Sequence, residues 1–434
     1  MRAYRSWGRY PDATPAAVVP VVWRSDPPPL EKLSGPVLPY ACGRSYGDSC
    51  LNDGGLLLDT GGLDRMIAFE EERGLLRCEA GVTLAEILAL IVPRGWFLPV
   101  VPGTRWVSVG GAIANDIHGK NHHRAGTFGA HVTRLELLRS SGDRIVCTPD
   151  DEVFRATVGG LGLTGLILWA EIRLKPVPGP GIAMERIRFS GLDAFFDLAA
   201  EDADYEYTAA WVDCLARGRR MGRGIYLRGD HAPRERQVPS PLLPARLRMP
   251  ADAPAGLLNR FTLGLFNEAY YRGGLRARHK TNVPYAPFFF PLDGVGDWGR
   301  FYGRRGFLQY QCVVPDQPGG GPIRTILERI SRSGEPASLA VLKRFGGAPS
   351  PGLLSFPRAG MTLAVDFAFR GRLTLALLDE LDAVVREAGG AVYPAKDARM
   401  SPRSFREFFP ALERFTRQRD PKFSSSFWRR VHAS

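Results

Sequence analysis

A glycine-rich run in the N-terminal half constrains the fold of this chain more than any other stretch. Residues 102–123 read Pro-Gly-Thr-Arg-Trp-Val-Ser-Val-Gly-Gly-Ala-Ile-Ala-Asn-Asp-Ile-His-Gly-Lys-Asn-His-His. The glycines stand between short apolar residues, so backbone amides can approach a ligand with no side chain in the way. We interpret the run as a cradle for a diphosphate.

A second run has the same small-residue character. Residues 40–48 read Tyr-Ala-Cys-Gly-Arg-Ser-Tyr-Gly-Asp and precede a predicted strand over residues 55–59. Two separated cradles on one sheet indicate a long, bent cofactor that is anchored at both ends.

Length and composition indicate a soluble globular protein with two domains. The chain has 434 residues, of which 44% are hydrophobic and 24% charged, and this length exceeds what one ordinary core supports. No apolar run approaches the ~18 residues of a membrane span, and the basic N-terminus lacks the apolar core of a signal peptide. The six cysteines show no C-x-x-C spacing, so we expect a reducing, cytoplasmic compartment.

The formal charge of +12 arises from 57 Lys and Arg against 45 Asp and Glu. A solvated basic surface is the simpler interpretation, and a preference for phosphorylated ligands or an anionic membrane face is the more specific one. Because no basic and aromatic nucleic-acid module accompanies the charge, we expect no nucleic-acid partner.

The coarse pattern predicts an α+β fold. Thr83 and Glu86 form a capping box that begins a helix. Residues 132–138 and 144–147 alternate around a Ser-Gly-Asp turn and predict a hairpin. Later strands are predicted over residues 307–314 and 339–343, and helical stripes occur near residues 323–330 and 377–385.

We predict three segments along the chain: a cofactor domain over residues 1–179, a substrate domain over 180–390, and a C-terminal segment over 391–434 that returns to the first domain. The proline-rich stretch 175–180 marks the first boundary. Residues 231–256 are dense in Pro, Arg and Ala and are predicted to form a mobile loop or lid.

Three sets of polar residues are candidates for chemistry. His118, His122 and His123 lack the cysteine and carboxylate company of a metal site, so we expect no metal, with one histidine beside a redox ring and two structural ones. Lys396 follows an apolar strand beside a tyrosine, which favours an active-site cation over a solvated charge. Gln309 and Gln311 alternate and share one strand face, which is either surface or the lining of a sugar pocket.

The stretch 160–165 matches G-x-G-x-x-G. It follows a predicted helix and precedes a strand, which reverses the order of a dinucleotide-binding fold. We therefore interpret it as a tight turn, although contact with the same cofactor stays open.

Together these residues carry a resemblance. The cradles resemble those of FAD-binding flavoenzymes of the vanillyl-alcohol-oxidase and aldonolactone-oxidase type, also called PCMH-type. More closely, the sequence resembles the decaprenylphosphoryl-β-D-ribose 2'-oxidase family from about residue 7 to the C-terminus, in motifs at 43–48, 102–105, 109–114, 116–123, 156–160, 306–311 and 395–397. The stretch 116–123 is the most specific of them.

The resemblance implies a two-domain FAD-binding fold with an inserted antiparallel-sheet substrate domain. It implies oxidation of the 2'-hydroxyl of a polyprenylphosphoryl ribose, the first half of epimerisation to the arabinose donor for cell-wall arabinan. Two alternatives stay open: an oxidase of a free aldonolactone, an alditol or a nucleotide-linked sugar, and a non-catalytic flavin-binding partner protein.

The resemblance also assigns residues. It places Lys396 and His118 beside the flavin ring as catalytic residues. The sugar-phosphate pocket would be lined by Gln309, Gln311, Lys343 and Tyr302, with Trp211 nearby. FAD contacts are expected at Cys42, Gly43, Arg44, Ser45, Tyr46, Gly47, Asp48, Gly103, Ser108, Val109, Gly110, Gly111, Asn115, Asp116, Ile117, His118, Ile167 and Tyr393.

Three positions refine these expectations. Tyr46 stands where relatives with covalent flavin carry a histidine, so we expect non-covalent FAD. The strand before Val-Asp-Phe has Ala364 where the family often has a cysteine, and Thr362 where its pattern has an asparagine. Thiol-directed covalent inhibitors are therefore expected to fail.

The expected partners follow from the same resemblance. They are a lipid-linked sugar phosphate as substrate and an NAD(P)H-dependent short-chain reductase that completes the epimerisation, since this chain shows no nicotinamide fingerprint. Peripheral membrane contact is expected through basic and apolar residues near 242–249. We expect a cytoplasmic location, with the periplasmic face of the membrane left open.

Overall fold

A computed structural model describes residues 4–202, 204–238, 247–254, 256–273 and 276–432. Its strands, in chain order, are β1 Ala17–Pro20, β2 Val37–Tyr40, β3 Leu56–Asp59, β4 Met66–Glu70, β5 Leu75–Glu79, β6 Trp96–Phe97, β7 Val132–Leu138, β8 Arg144–Cys147, β9 Leu166–Arg173, β10 Lys175–Pro176, β11 Gly181–Phe189, β12 Tyr207–Val212, β13 Gly224–His231, β14 Leu247–Arg248, β15 Arg278–Pro284, β16 Val295–Gly296, β17 Phe307–Val314, β18 Ala337–Phe345, β19 Gly360–Ala368 and β20 Ala391–Val392.

The helices are α1 Leu84–Ile91, α2 Val109–Ala114, α3 His122–Ala125, α4 Glu152–Thr157, α5 Leu192–Glu201, α6 Arg260–Arg272, α7 Tyr285–Phe289, α8 Gly321–Ser333, α9 Arg372–Glu387, α10 Pro402–Phe408, α11 Leu412–Gln418 and α12 Ser426–Val431. No helix in these described stretches is both long enough and apolar enough to cross a membrane.

Two sheets form the N-terminal region. The first is parallel, in the order β1-β3-β2, and the second is antiparallel, in the order β4-β5-β9-β7-β8. The predicted hairpin is confirmed as β7 and β8. The capping box is confirmed at the start of α1, where the Thr83 side chain accepts from the Glu86 amide. Apolar side chains such as Leu58 and Leu168 join the two sheets.

The turn at 160–165 confirms the interpretation against a dinucleotide fold. Helix α4 precedes it and strand β9 follows it. Leu161 and Gly162 have positive φ angles of 57° and 74°, a conformation that closes a tight turn. The Leu161 amide donates to the Ala114 carbonyl, so the turn also braces the end of α2.

An eight-stranded antiparallel sheet dominates the rest of the chain, in the order β15-β11-β13-β12-β18-β19-β17-β20. One face is apolar and packs with α5, α8 and α9, in a core to which Tyr310, Leu363 and Leu342 belong. Since side chains alternate across a strand, Gln309 and Gln311 lie on the other, polar face. The register aligns Gln311, Ala364, Val341 and Trp211 in one row across four strands of that face.

The C-terminal segment connects this sheet to the N-terminal region. Strand β20 pairs with β17, and the chain then continues through α10, α11 and α12. The Ser424 amide donates to the Val37 carbonyl, and the Ser426 amide donates to the Leu51 carbonyl. The predicted domain limits themselves stay a prediction.

The predicted loop at 231–256 is partly outside the described residues, because 239–246 and 255 are not among them. The described part contains a short turn at Arg234–Arg236 and β14, which pairs with β16. The Gln237 side chain accepts from the Gly181 amide, which holds this part against the start of β11. The sequence did not predict α6, which follows directly.

Candidate active site

The first cradle, residues 42–48, lies against both the second cradle and the C-terminal segment. Arg44 Nε donates to the Trp106 carbonyl at 3.1 Å. A Cβ on Gly47 would stand 1.8 Å from the Asp397 carbonyl oxygen, so no side chain fits there. Within the described residues, the Arg44 amide donates to no protein acceptor, whereas the Ser45 amide donates toward the Cys50 sulfur. The Arg44 amide is available for a ligand.

In the second cradle, residues 103–118, several backbone amides already donate to protein acceptors, so the cradle contributes its shape to a ligand site more than it contributes free hydrogen-bond donors. Ser108 caps α2, accepting from the Gly111 amide at 3.2 Å. The amides of Val109 and Gly110 donate to backbone carbonyls at 2.8 and 2.7 Å. A Cβ on Gly103 would meet nothing within 4 Å, so this glycine faces open space. The run therefore presents a close, side-chain-free backbone surface.

A short turn, Tyr393–Lys396, joins the two cradles to the sheet. The Tyr46 amide donates to the Ala395 carbonyl at 2.8 Å, and the Tyr393 amide donates to the Gln311 carbonyl at 2.9 Å. The Tyr393 hydroxyl donates to the Asn115 carbonyl at 2.7 Å. The cradles and the polar face of the sheet thus meet along one line of hydrogen bonds.

These features fit FAD. The unpaired amide at Arg44 is a donor of the kind that binds diphosphate oxygens. Gly47 allows the first cradle to approach the backbone at Asp397 closely, and Gly103 faces open space, so a ligand can approach its backbone. The Tyr393 turn then ends beside the polar face, where a flavin ring would meet a substrate.

His118 lies at the centre of the polar face. Its Nε2 is 2.9 Å from Gln311 Nε2, and its Nδ1 is 3.3 Å from Lys343 Nζ. Burial, then the positive charge of Lys343, holds the pKa of His118 well below its usual range. The ring is therefore neutral and carries one N–H. Since the Gln311 amide nitrogen only donates, it donates to Nε2, and the N–H at Nδ1 can donate to Lys343 only when that amine is neutral.

Three lysine amines belong to this region: the charges of Lys343 and Lys396 act on the histidine, and the charge of Lys120 acts on Lys343. Burial, then the charges of Lys120 and Lys396, lowers the pKa of Lys343 to about 7. Burial lowers the pKa of Lys120 to about 8. Burial also lowers the pKa of Lys396, although attraction to Asp366 opposes it. An enclosed set of amines with few carboxylates is suited to an anionic ligand.

Asp366 is a site residue that sequence reasoning missed. It is fully buried and accepts hydrogen bonds from Tyr302 at 2.8 Å and from Gln309. Burial raises its pKa. The Lys396 amine, whose charge acts on Asp366, lies 3.7 Å from the Tyr46 ring centroid. The sequence offered one signal for Asp366: it alternates with Ala364 along β19, so both residues lie on the same face of the sheet as Gln311.

Lys120 was also missed. Its amine donates to the Phe289 carbonyl at 3.4 Å and lies 5.6 Å from the Phe288 ring centroid. In sequence it is one polar residue inside the histidine-rich stretch. Only the fold brings it beside Lys343, so local spacing carried no signal.

Several predicted FAD residues brace the cradles with their side chains. Asp48 is buried and paired with Arg430 at 2.7 Å. Asp116 accepts from the Gly129 amide and from the Ser355 hydroxyl, and burial raises its pKa to about 6. Ile167 lies in the core of the second sheet. Only the backbones of Asp48 and Asp116 are left to contact a cofactor.

The remaining candidates occupy distinct places. His122 packs on Phe345 with ring centroids 4.2 Å apart, and His123 Nε2 lies 2.8 Å from the Tyr205 carbonyl. Trp211 is on the polar face, but two strands, β18 and β19, lie between it and Gln311. In the described residues, no group of three or more His, Cys, Asp and Glu side chains is placed to hold a metal ion.

Ala364 gives a testable difference in reactivity. It lies on the polar face between Gln311 and Val341, and it offers no thiol. We expect a thiol-directed electrophile that fits the pocket to leave the wild type active and to inactivate Ala364→Cys. Activity and the mass of the modified peptide measure this result.

The native thiols provide the control for that experiment. None of the six cysteines, all of them described residues, forms a disulfide, and burial raises the thiol pKa of Cys50, Cys78, Cys147, Cys214 and Cys312. Cys42 is half-buried, so its labelling must be followed in both proteins. Equal inactivation of both proteins would contradict the prediction.

Comparisons with known proteins agree with this geometry. Residues 30–148 match the FAD binding domain family. The chain is 38% identical to a decaprenylphosphoryl-β-D-ribose oxidase of Mycolicibacterium smegmatis, over 98% of this chain and 96% of that protein. It is 39% identical to an uncharacterized protein of Streptomyces coelicolor, over 81% of this chain and all of that protein. A human Δ24-sterol reductase is 31% identical over only 26% of this chain and 22% of its own length.

The double cradle and the matching domain define an FAD-dependent oxidoreductase with an α+β fold of the PCMH type. The similarity to the mycobacterial oxidase extends far beyond that domain and includes the eight-stranded sheet. The chain belongs to the decaprenylphosphoryl-β-D-ribose oxidase family.

Proposed function

We propose that this protein oxidises the 2'-hydroxyl of a polyprenylphosphoryl-β-D-ribose to the 2'-keto sugar. This oxidation is the first half of the epimerisation that produces the arabinose donor for cell-wall arabinan. The observation that carries this function is the near-complete match to the mycobacterial oxidase, 38% identical over 98% of the chain. The cluster of lysines on the polar face supports a substrate that carries a phosphate.

The roles of the side chains follow from their positions. Lys343 and Lys120 supply positive charge for the substrate phosphate. Gln309 and Gln311 present amides on the same face and orient the sugar hydroxyls. FAD, when bound, supplies the hydride acceptor.

Lys396 and His118 act closest to the reacting sugar carbon. Lys396 is anchored by the Tyr46 ring and by the charge of Asp366, so its amine can stabilise negative charge that develops during the reaction. Neutral His118, held between Gln311 and Lys343, fixes the position of both.

An anaerobic titration of the yellow protein tests the substrate. A short-chain prenylphosphoryl ribose is compared with free ribose and with an aldonolactone, and flavin absorbance is followed. Rapid bleaching by the phosphorylated lipid alone is the expected result. Bleaching only by a free sugar or by the aldonolactone would contradict the proposed substrate and indicate an aldonolactone-type oxidase. Bleaching by none of the three would favour a non-catalytic flavoprotein.

FAD is proposed to bind without a covalent link. A tyrosine at position 46 cannot form the histidyl bond of covalent relatives, and burial raises the pKa of its phenol, which keeps the phenol protonated. Acid precipitation is therefore expected to release the flavin into the supernatant, as measured by its absorbance. Flavin that stays with the protein pellet, or with a peptide in mass spectrometry, would contradict a dissociable cofactor.

A second enzyme is needed to complete the epimerisation. We propose an NAD(P)H-dependent short-chain reductase that reduces the 2'-ketone from the opposite face. The proposed location is the cytoplasm, with peripheral contact at a membrane.

A further inference from the structure

Helix α6 buries Leu263 and Asn267 but leaves most of its large apolar side chains exposed. Its exposed apolar face comprises Phe261, Leu265, Phe266, Ala269 and Tyr270, hereafter the α6 face. Phe261 is 74% exposed, and Leu265 and Phe266 are each 58% exposed. A surface helix normally turns such residues toward the core. This exposure indicates that the α6 face meets something other than water.

The helix is held to the protein by polar contacts on its inner side. Buried Asn267 donates to Asp213 at 2.8 Å. Arg223 donates to Asp213 at 2.8 Å and to Glu268 at 2.6 Å. These bonds fix the orientation of α6, so the apolar side chains cannot turn inward without breaking a buried charged network.

Positive charge surrounds the α6 face. Residues 256–284 contain four arginines and one lysine but a single carboxylate, Glu268, which is paired with Arg223 and Arg272. Beside the helix lies an open concavity of about 760 Å³. It is lined by Arg186, Phe266, Ala269, Tyr270, Arg276 and His279.

The α6 face is continuous with the active site. The Tyr270 ring lies 4.8 Å from the Trp211 ring in an edge-to-face arrangement. Trp211 is at the end of the row that begins at Gln311 and passes through Ala364 and Val341. A row of mostly apolar side chains, hereafter the path, therefore connects the polar face of the sheet to α6.

We propose that the α6 face and the cations around it dock this protein on an anionic lipid bilayer. Phe261, Leu265 and Phe266 enter the interface between headgroups and acyl chains, while Arg276, Arg278 and Lys280 contact lipid phosphates. The path past Trp211 receives the prenyl chain of the substrate from the bilayer, and this role rests on the proposed function. The docking of the α6 face on the bilayer does not depend on the proposed function.

Charge favours a bilayer over a second copy of this chain. A two-fold contact places the same patch on both subunits, so the cations of one copy would face those of the other. An anionic bilayer complements these cations and also accommodates a convex apolar helix. The surface differs from the membrane contact expected near 242–249, most of which lies outside the described residues.

Sedimentation of the FAD-loaded protein with vesicles of equimolar phosphatidylcholine and phosphatidylglycerol tests the docking without any substrate. We expect binding that weakens as salt is added. The variant Phe261→Ser/Leu265→Ser/Phe266→Ser is expected to lose more than about tenfold in binding. Arg276→Gln/Arg278→Gln/Lys280→Gln is expected to lose about fivefold per cation removed, on anionic vesicles only.

Leu373→Ser is the matched control, since Leu373 is 64% exposed on another helix, α9. It should bind vesicles like the wild type. Every variant should keep its FAD absorbance and its rate of bleaching by a short-chain, water-soluble substrate, which separates loss of docking from loss of activity or folding.

Three results would overturn the docking surface. They are a wild type that does not bind anionic vesicles, an α6 triple variant that binds as well as Leu373→Ser, and a wild-type dimer that the triple variant converts to a monomer. If vesicles bind as expected but no phosphorylated lipid sugar bleaches the flavin, the docking stands and the proposed substrate falls.

Discussion

Replacing Lys396 with alanine is expected to slow anaerobic flavin reduction by about 10²–10³-fold, the usual cost of removing one preorganised electrostatic partner. The Lys396 amine is buried against the Tyr46 ring, and Asp366 is the buried carboxylate whose charge acts on it. Because the positive charge is already in place before reaction, its removal affects the chemical step. Stopped-flow absorbance with saturating substrate measures the rate.

The FAD content of Lys396→Ala must be shown to match that of the wild type, because the Tyr393 turn also contacts both cradles. Lys32→Ala, at an exposed lysine, is the control and should reduce flavin normally. A Lys396→Ala protein that holds FAD and reduces it at the wild-type rate would remove Lys396 from the mechanism.

Replacing Lys343 with methionine is expected to weaken binding of the phosphorylated substrate by about 10- to 100-fold, because a hydrogen bond to a charged group is lost. The wild type should also show a pH dependence. Since the pKa of Lys343 is lowered to about 7, the free enzyme carries this charge below pH 7 and loses it as pH rises. Phosphate affinity should therefore fall as pH rises through about 7.

Neighbouring groups shape that profile. Lys120, with a pKa lowered to about 8, should add a second decline at higher pH, while His118 stays neutral. In Lys343→Met the decline near pH 7 should become smaller, with the remainder due to Lys396, whose pKa is also lowered to about 7, and binding of unphosphorylated ribose should change little. Titration of flavin fluorescence measures the dissociation constants. An identical pH profile in wild type and Lys343→Met would contradict this role.

Local sequence patterns predicted the elements whose stabilising contacts are local. The β7–β8 hairpin and the α1 cap depend on residues a few positions apart. The alternation of apolar residues and the capping residues were therefore enough to predict them. The cradles were found because glycine permits close backbone approach wherever it occurs.

Features that depend on distant partners were missed. Asp366 is held in the site by a hydrogen bond from Tyr302. Lys120 is positioned by a hydrogen bond to the carbonyl of Phe289, which is 169 positions away. Helix α6 was missed for a different reason. Its buried side combines Leu263 with the polar Asn267, and its exposed side includes Phe261, so the sequence lacks the apolar pattern that normally predicts a helix facing the core.

The tie between Arg430 and the first cradle bears on the order of events during synthesis. Arg430 Nη2 contacts Asp48 at 2.7 Å and Asp397 at 2.9 Å, and so clamps the first cradle to the Lys396 turn. A ribosome must have produced Arg430 before this clamp can form. The nascent chain therefore keeps an unfinished flavin cleft while more than 380 residues are added after Asp48, and tight capture of FAD follows the synthesis of Arg430.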